Sequence, residues 1–177
     1  FQFCHNDLHS SNIMFKPTKF KYIYYFINNN YYRIPTYNKI VKIIDFGRAT
    51  FKLDNKWYFS DVFDKNGDAE GQYTFPNIYN KFSVKDNPPN YSFDLVRLST
   101  TIVERLDDKP NVMEFINQLM KTDYGTNISH EDDDFNLYIN IAKYCHNAIP
   151  KEIIKNKIFN RFIIQKNKIK KKFIYYY

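Results

Sequence analysis

His5 to Phe15 reads HNDLHSSNIMF, a polar stretch that gives way to an apolar run. Asp7 is followed five residues later by Asn12, and Asn12 by the strand-like NIMFK of residues 12–16. Further on, YNKIVKIIDFG (37–47) rises into a β-branched run that ends at Asp45, Phe46 and Gly47. Both runs predict buried strands. Two strands that begin or end at Asp7, Asn12 and Asp45 can bring three oxygen ligands to one edge of a small sheet. A magnesium-bound phosphate needs such a set, because Mg²⁺ takes hard oxygen ligands from one or two carboxylates together with the phosphates.

Between the two strands, KYIYYFINNNYYRIP (21–35) alternates aromatic residues around an Asn triplet, and predicts a hairpin turning at Asn28 to Asn30. It reads as an insertion over residues 17–40. Residues 50–91 hold turn formers, DKNGDAEGQ and DNPPN, without a sustained period, and predict a long irregular segment. A loop of that length is usually functional or mobile. From Ser92 the spacing of Leu95, Leu98, Ile102 and Leu106 predicts a helix with Ser92 as N-cap. A second helix is expected over PNVMEFINQLMKT (110–122), with Val112, Phe115, Ile116 and Leu119 on one face. A third is expected over residues 131–149, whose start, Asp132 to Asp134, suits the positive end of a helix dipole, and a fourth over 150–164. Strands followed by helices predict an α+β fold, mostly helical.

The 177 residues suffice for one ordinary domain, and 44% hydrophobic content suffices for a core. Sixteen Tyr and 17 Phe against one Trp make that content unusually aromatic. Cys4 and Cys145 have no near neighbours, which excludes a disulfide framework and a Cys-rich zinc site and suggests a reducing, cytoplasmic setting. No run approaches the roughly 18 apolar residues of a membrane span. The net charge is +7, but residues 151–177 carry nine Lys or Arg against one Glu, a net of +8, so residues 1–150 carry −1. The basicity belongs to a tail, residues 166–177 and the helix before it. Contact with nucleic acid or an anionic surface is one use of such a tail; a solvated helix end is the simpler one.

HNDLHSSN resembles the catalytic loop of protein kinases, H-R-D-L-x-x-x-N, and IIDFG resembles their magnesium-binding D-F-G. SFDLVRLS (92–99) is similar to the kinase helix whose Asp holds that loop. The three occur in the family's order. The aromatic hairpin and the GDAEGQY segment (67–73) look most like kinase-like proteins of nucleocytoplasmic large DNA viruses, implying a host-cell cytoplasmic or virion location. The resemblance covers residues 1–165 and implies a kinase C-terminal lobe, with 45–91 as activation-segment region and 92–165 as helical part.

By that resemblance Asp7 would accept the proton of an attacking Ser or Thr hydroxyl on a protein substrate. Asn12 and Asp45 would hold Mg²⁺ and, with Phe46 and Gly47, would face ATP. His5 would pack on Phe46, and Asp94 would brace the loop. Three departures stand out. Asn6 replaces the Arg that pairs with a phosphorylated activation loop, so control by phosphorylation is not expected. His9 replaces a Lys near the phosphate and is also found in small-molecule phosphotransferases of the aminoglycoside and choline kinase type. No Gly-rich loop, V-A-I-K lysine or partner Glu is present, so the expectation is a fragment without its N-terminal lobe, inactive alone, or a pseudokinase that serves as a binding module. His5 and His9 at i, i+4 could suggest zinc, but Asn6 stands where H-E-x-x-H needs Glu. Arg48 and Arg97 could bind phosphate or a partner, but paired surface positions are the expectation, and His146 is expected to be a helix-face residue.

Overall fold

The computed structural model describes residues 2–73, 89–106, 108–128, 134–166 and 174–176. Asp107, His130, Asp132, Asp133, much of the activation-segment region (74–88) and most of the basic tail lie outside the described residues, as does the side chain of Asp134.

The chain opens with β1 (Gln2–Cys4) and a single 3-10 turn (Ser10–Asn12). There follow β2 (Ile13–Pro17), β3 (Tyr22–Ile27), β4 (Asn30–Pro35) and β5 (Lys39–Ile43). β2 pairs antiparallel with β5, Ile13 opposite Ile43 and Phe15 opposite Val41. β3 and β4 form the expected hairpin, Ile27 opposite Asn30. Its turn is two residues, Asn28 and Asn29, at φ 49° and 63°. Asn tolerates that left-handed region, and two such residues in succession match the twist of a hairpin. Asn30 therefore belongs to the strand.

The two core strands were expected to be buried, but Phe15 is 59% exposed and Val41 56%. Among the described residues, no other strand extends the β2–β5 pair. Ile13, Phe15, Val41 and Ile43 share one face by register. Their apolar character reports β-propensity, and tertiary cover does not follow from it.

The stretch from residue 50 is more ordered than its turn formers suggest. β6 (Thr50–Leu53) and β7 (Lys56–Tyr58) form a hairpin over Asp54 and Asn55, both left-handed at φ 48° and 61°. β1 pairs antiparallel with β6, Cys4 opposite Thr50, so the residues leading into His5 are one strand of a three-stranded sheet.

The helical part begins with α1 (Phe93–Ile102), α2 (Pro110–Leu119) and α3 (Asp134–Tyr144). Pro110 occupies the first turn of α2, where a missing N–H costs nothing. Ser92 precedes α1 but makes no side-chain cap; its own N–H donates to Asn90 Oδ1 at 3.0 Å. Asn90 Nδ2 also donates to the carbonyls of Ile141, Ala142 and Cys145, which serves the end of α3. One amide thus joins the start of α1 to the end of α3. Phe93, Val96, Met120, Ile141 and Cys145 are fully buried between the three helices. Each large apolar side chain there contributes roughly 1.5–3 kcal/mol.

The expected fourth helix is only one turn, α4 (Pro150–Ile153). Asn156 Oδ1 then accepts the Ile158 N–H and starts a 3-10 segment, Lys157–Phe162. The chain next enters β8 (Ile163–Ile164), which pairs with β4. With β9 (Ile174–Tyr176) parallel to β3, the sheet order is β8-β4-β3-β9. The aromatic insertion is thereby the centre of a sheet. The fold is α+β, but about 35% helix and 25% strand among the described residues replace the expected mostly helical architecture. Backbone pairing with β4 has taken Ile163 and Ile164, whose apolar spacing alone fits a helix.

Candidate functional site

The loop between β1 and β2 is held from α1. Asp94 Oδ2 accepts the His5 N–H at 2.7 Å and Oδ1 accepts the Asn6 N–H at 2.9 Å. Thr101 Oγ1 accepts the Ser10 N–H at 3.1 Å. Asp94 and Thr101 lie seven residues apart, hence on one face of α1. Burial pushes the Asp94 carboxyl above its ordinary value, and the two backbone N–H groups oppose that rise.

His5 is fully buried, and its Nε2 lies 2.9 Å from the Ile44 carbonyl oxygen. A carbonyl only accepts, so Nε2 donates. The imidazole lies 5.3 Å from the Phe46 ring, and Phe3 lies 6.0 Å from Phe46. Phe3, Phe46, Ala49 and Phe51 line a shallow apolar hollow of about 470 Å³. Phe46 is 53% exposed there.

Asn12 ends the 3-10 turn that His9 begins. Its Nδ2 donates to the Asp7 carbonyl at 3.0 Å, and an amide oxygen such as its Oδ1 only accepts. The His9 Nε2 lies 3.2 Å from Asn12 Nδ2 and 3.8 Å from Asp7 Oδ1. The Asn12 carbonyl accepts the Ile44 N–H at 3.0 Å, and Asp45 is the next residue. Asp45 is exposed and left-handed at φ 62°. A non-glycine residue held there is a strained position of the kind that concentrates at functional sites. Gly47 is not left-handed; a Cβ in its place would lie 3.5 Å from Asp45 Oδ1, an ordinary contact.

Asp7, His9 and Asn12 are therefore in mutual reach. His5 with Phe46 and Asp94 with the loop backbone are the other contacts. Asn12 Oδ1 and the exposed Asp45 carboxylate are hard donors that fit a divalent cation completed by phosphate oxygens. Among the described residues, no cluster of three or more His, Cys, Asp or Glu side chains could hold a metal without such a ligand.

Asn6 is almost entirely buried, at φ 62°. Its Nδ2 donates to the Arg48 carbonyl and to Thr50 Oγ1, both at 2.9 Å. Tyr73 donates its hydroxyl to Asn6 Oδ1, and Gln72 Nε2 donates to the Asn6 carbonyl at 3.1 Å. A neutral amide thus ties the loop to residues 48–50 and 72–73.

Three residues at the site were not legible as such in the sequence. Tyr138, from α3, donates its hydroxyl to Asp7 Oδ1. Burial and that hydrogen bond push its phenol above the ordinary value, so the donor proton is retained. Arg48 and Arg97, expected to be surface pairs, both lie over the Tyr138 ring, 5.2 and 4.8 Å from its centre. Arg48 Nε also lies 3.9 Å from Asp7 Oδ2. Only the spacing of Arg97 after Asp94, three residues and so the same helix face, pointed this way. His146 follows α3 and is exposed, its Nδ1 2.6 Å from Asp123 Oδ2.

Compared with models of known protein families and with curated proteins, the sequence matches none of them. No described helix is long and apolar enough to cross a membrane.

Proposed function

We propose that this chain carries the metal-and-base side of an ATP-dependent phosphotransferase of the protein-kinase type, acting on Ser or Thr hydroxyls of proteins. The observation that carries the reading is the Asp94 carboxylate. It joins HNDLHSSN to SFDLVRLS through two backbone hydrogen bonds, while His5 reaches Ile44 and Phe46 of IIDFG. Three separately read motifs meet at one place, and chance placement does not require that.

In this reading Asp7 orients the acceptor hydroxyl and takes its proton. Asn12 and Asp45 hold Mg²⁺, which supplies charge neutralisation on the transferred group when bound. His9, in mutual reach of Asp7 and Asn12, contacts a phosphate oxygen. Asp94 and His5 fix the loop and the Ile44–Phe46 segment, so the chain's contribution is mainly positioning.

The test has two arms. Titration of Mg·ATP followed by amide NMR should give weak, metal-dependent shifts centred on Asn12 and Asp45, lost in Asp45→Ala. Shifts that persist without metal would refute the metal assignment. The second arm is γ-phosphoryl transfer to a Ser/Thr peptide library, for this chain and for any extended form of the protein. Transfer should vanish in Asp7→Ala; transfer that survives it would remove Asp7 as the base. Binding without transfer in the extended protein would favour a pseudokinase.

A further inference from the structure

Resting on the reading of Asp7 as the base, we propose that Tyr138 is a positioning residue that fixes the Asp7 carboxylate through its hydroxyl. A carboxylate that must meet an incoming hydroxyl needs one oxygen held by a hydrogen bond and the other without one, so that it can accept from the acceptor. Tyr138 donates to Oδ1, and the Arg48 guanidinium stands 3.9 Å from Oδ2. The Asp7 main chain is fixed separately, its carbonyl accepting from Asn12.

Tyr138 is itself immobilised. The residue is 7% exposed, and its ring lies 5.8 Å from that of the fully buried Phe93 and carries Arg48 and Arg97 over it. A cation over an aromatic face is held by the ring quadrupole. Arg97 is further tied through Nη1 to Thr100 Oγ1 at 3.2 Å. α1 therefore acts on the loop twice, Asp94 on its backbone and Arg97, through Tyr138, on its carboxylate. A tyrosine that had merely found an acceptor would need neither arginine.

The variant Tyr138→Phe removes only the hydroxyl and keeps the ring between its neighbours. In the full chain at fixed neutral pH, the carboxyl-carbon NMR signal of Asp7 should shift and broaden in Tyr138→Phe. An unchanged signal would overturn the positioning role. Should that variant not fold, the wild-type hydroxyl proton of Tyr138, slowed in exchange by its bond, should disappear from the spectrum in Asp7→Ala; its survival would also overturn the role. In a transferring form, Tyr138→Phe should lower kcat by roughly tenfold or more with KM for Mg·ATP unchanged, as for a misplaced reacting group. A raised KM at constant kcat would count against it. A longer form that binds Mg·ATP without transferring would count against the phosphoryl-transfer reading alone, since the two NMR outcomes judge Tyr138 independently.

Discussion

Asp94 accepts the His5 backbone N–H at 2.7 Å across 89 residues of chain. The same carboxylate accepts the Asn6 N–H, so one side chain in the first turn of α1 satisfies two consecutive donors of a loop that has no ladder of its own. Satisfied donors in a tight loop are what give a reacting group a fixed place.

Asp94→Ala leaves both donors without a partner. Each unsatisfied buried donor costs about 1–3 kcal/mol, so the variant should lose on the order of 2–6 kcal/mol of stability. Urea unfolding measures the loss, and hydrogen exchange should show the His5 and Asn6 amides exposed before the rest of the loop.

Asn6 makes a second prediction, because its amide does work that no charged side chain could do in the same space. Asn6→Ala removes the bonds to Arg48 and Thr50, strands the Tyr73 hydroxyl and places Ala at φ 62°. The expected cost is about 2–4 kcal/mol. Asn6→Arg should be at least as destabilising, since Asn6 is buried among the partners of its amide. Thermal unfolding of the two variants decides; a stable Asn6→Arg protein would contradict this account.

Asp45 offers a separation of binding from stability. Glycine relieves the left-handed backbone at φ 62°, and Asp45→Gly should therefore gain about 1 kcal/mol or lose nothing. The same change should abolish metal-dependent nucleotide binding, because it removes the exposed carboxylate. Gain of stability with loss of Mg·ATP shifts is the expected pair of results, read by calorimetry and amide NMR.

Cys145 gives a pH dependence. Burial pushes its thiol from 9.0 up to about 12. Its contribution to stability is fully present below pH 9, where both states hold the proton. It is lost as pH rises towards 12, because the unfolded thiol ionises first. Through that window the slope should be about −1.4 kcal/mol per pH unit from this one group. The difference in urea-unfolding free energy between wild type and Cys145→Ala, measured from pH 8 to 11, should fall with pH; a flat difference would show that the thiol is not held neutral.

Local signals were legible where local chemistry sufficed. The Asn28–Asn29 turn, the strands around the motifs, α1, α2 and α3 all follow from spacing and turn residues close in the chain. The β6–β7 hairpin carried a comparable signal in Asp54-Asn55, which the surrounding turn formers obscured. Ile163 and Ile164 fit a helical period, but β4 takes them as a strand through Tyr31 and Tyr32, more than 130 residues earlier.

The candidate site divides in the same way. Asp7, His9 and Asn12 stand within five residues of one another, so the sequence by itself determined that they share a loop; it also determined that Asp45 follows a strand and that Asp94 opens a helix. Only the tertiary structure decided that α1 turns Asp94 onto the loop backbone, that Asn6 faces Tyr73, and that Arg48 and Arg97 bring Tyr138 to Asp7. The reason is physical. Turns and helix faces are set by neighbours a few residues away, whereas the partner of a buried carboxylate, amide or phenol is chosen by packing between elements distant in the chain, and residue type alone carries no record of that choice.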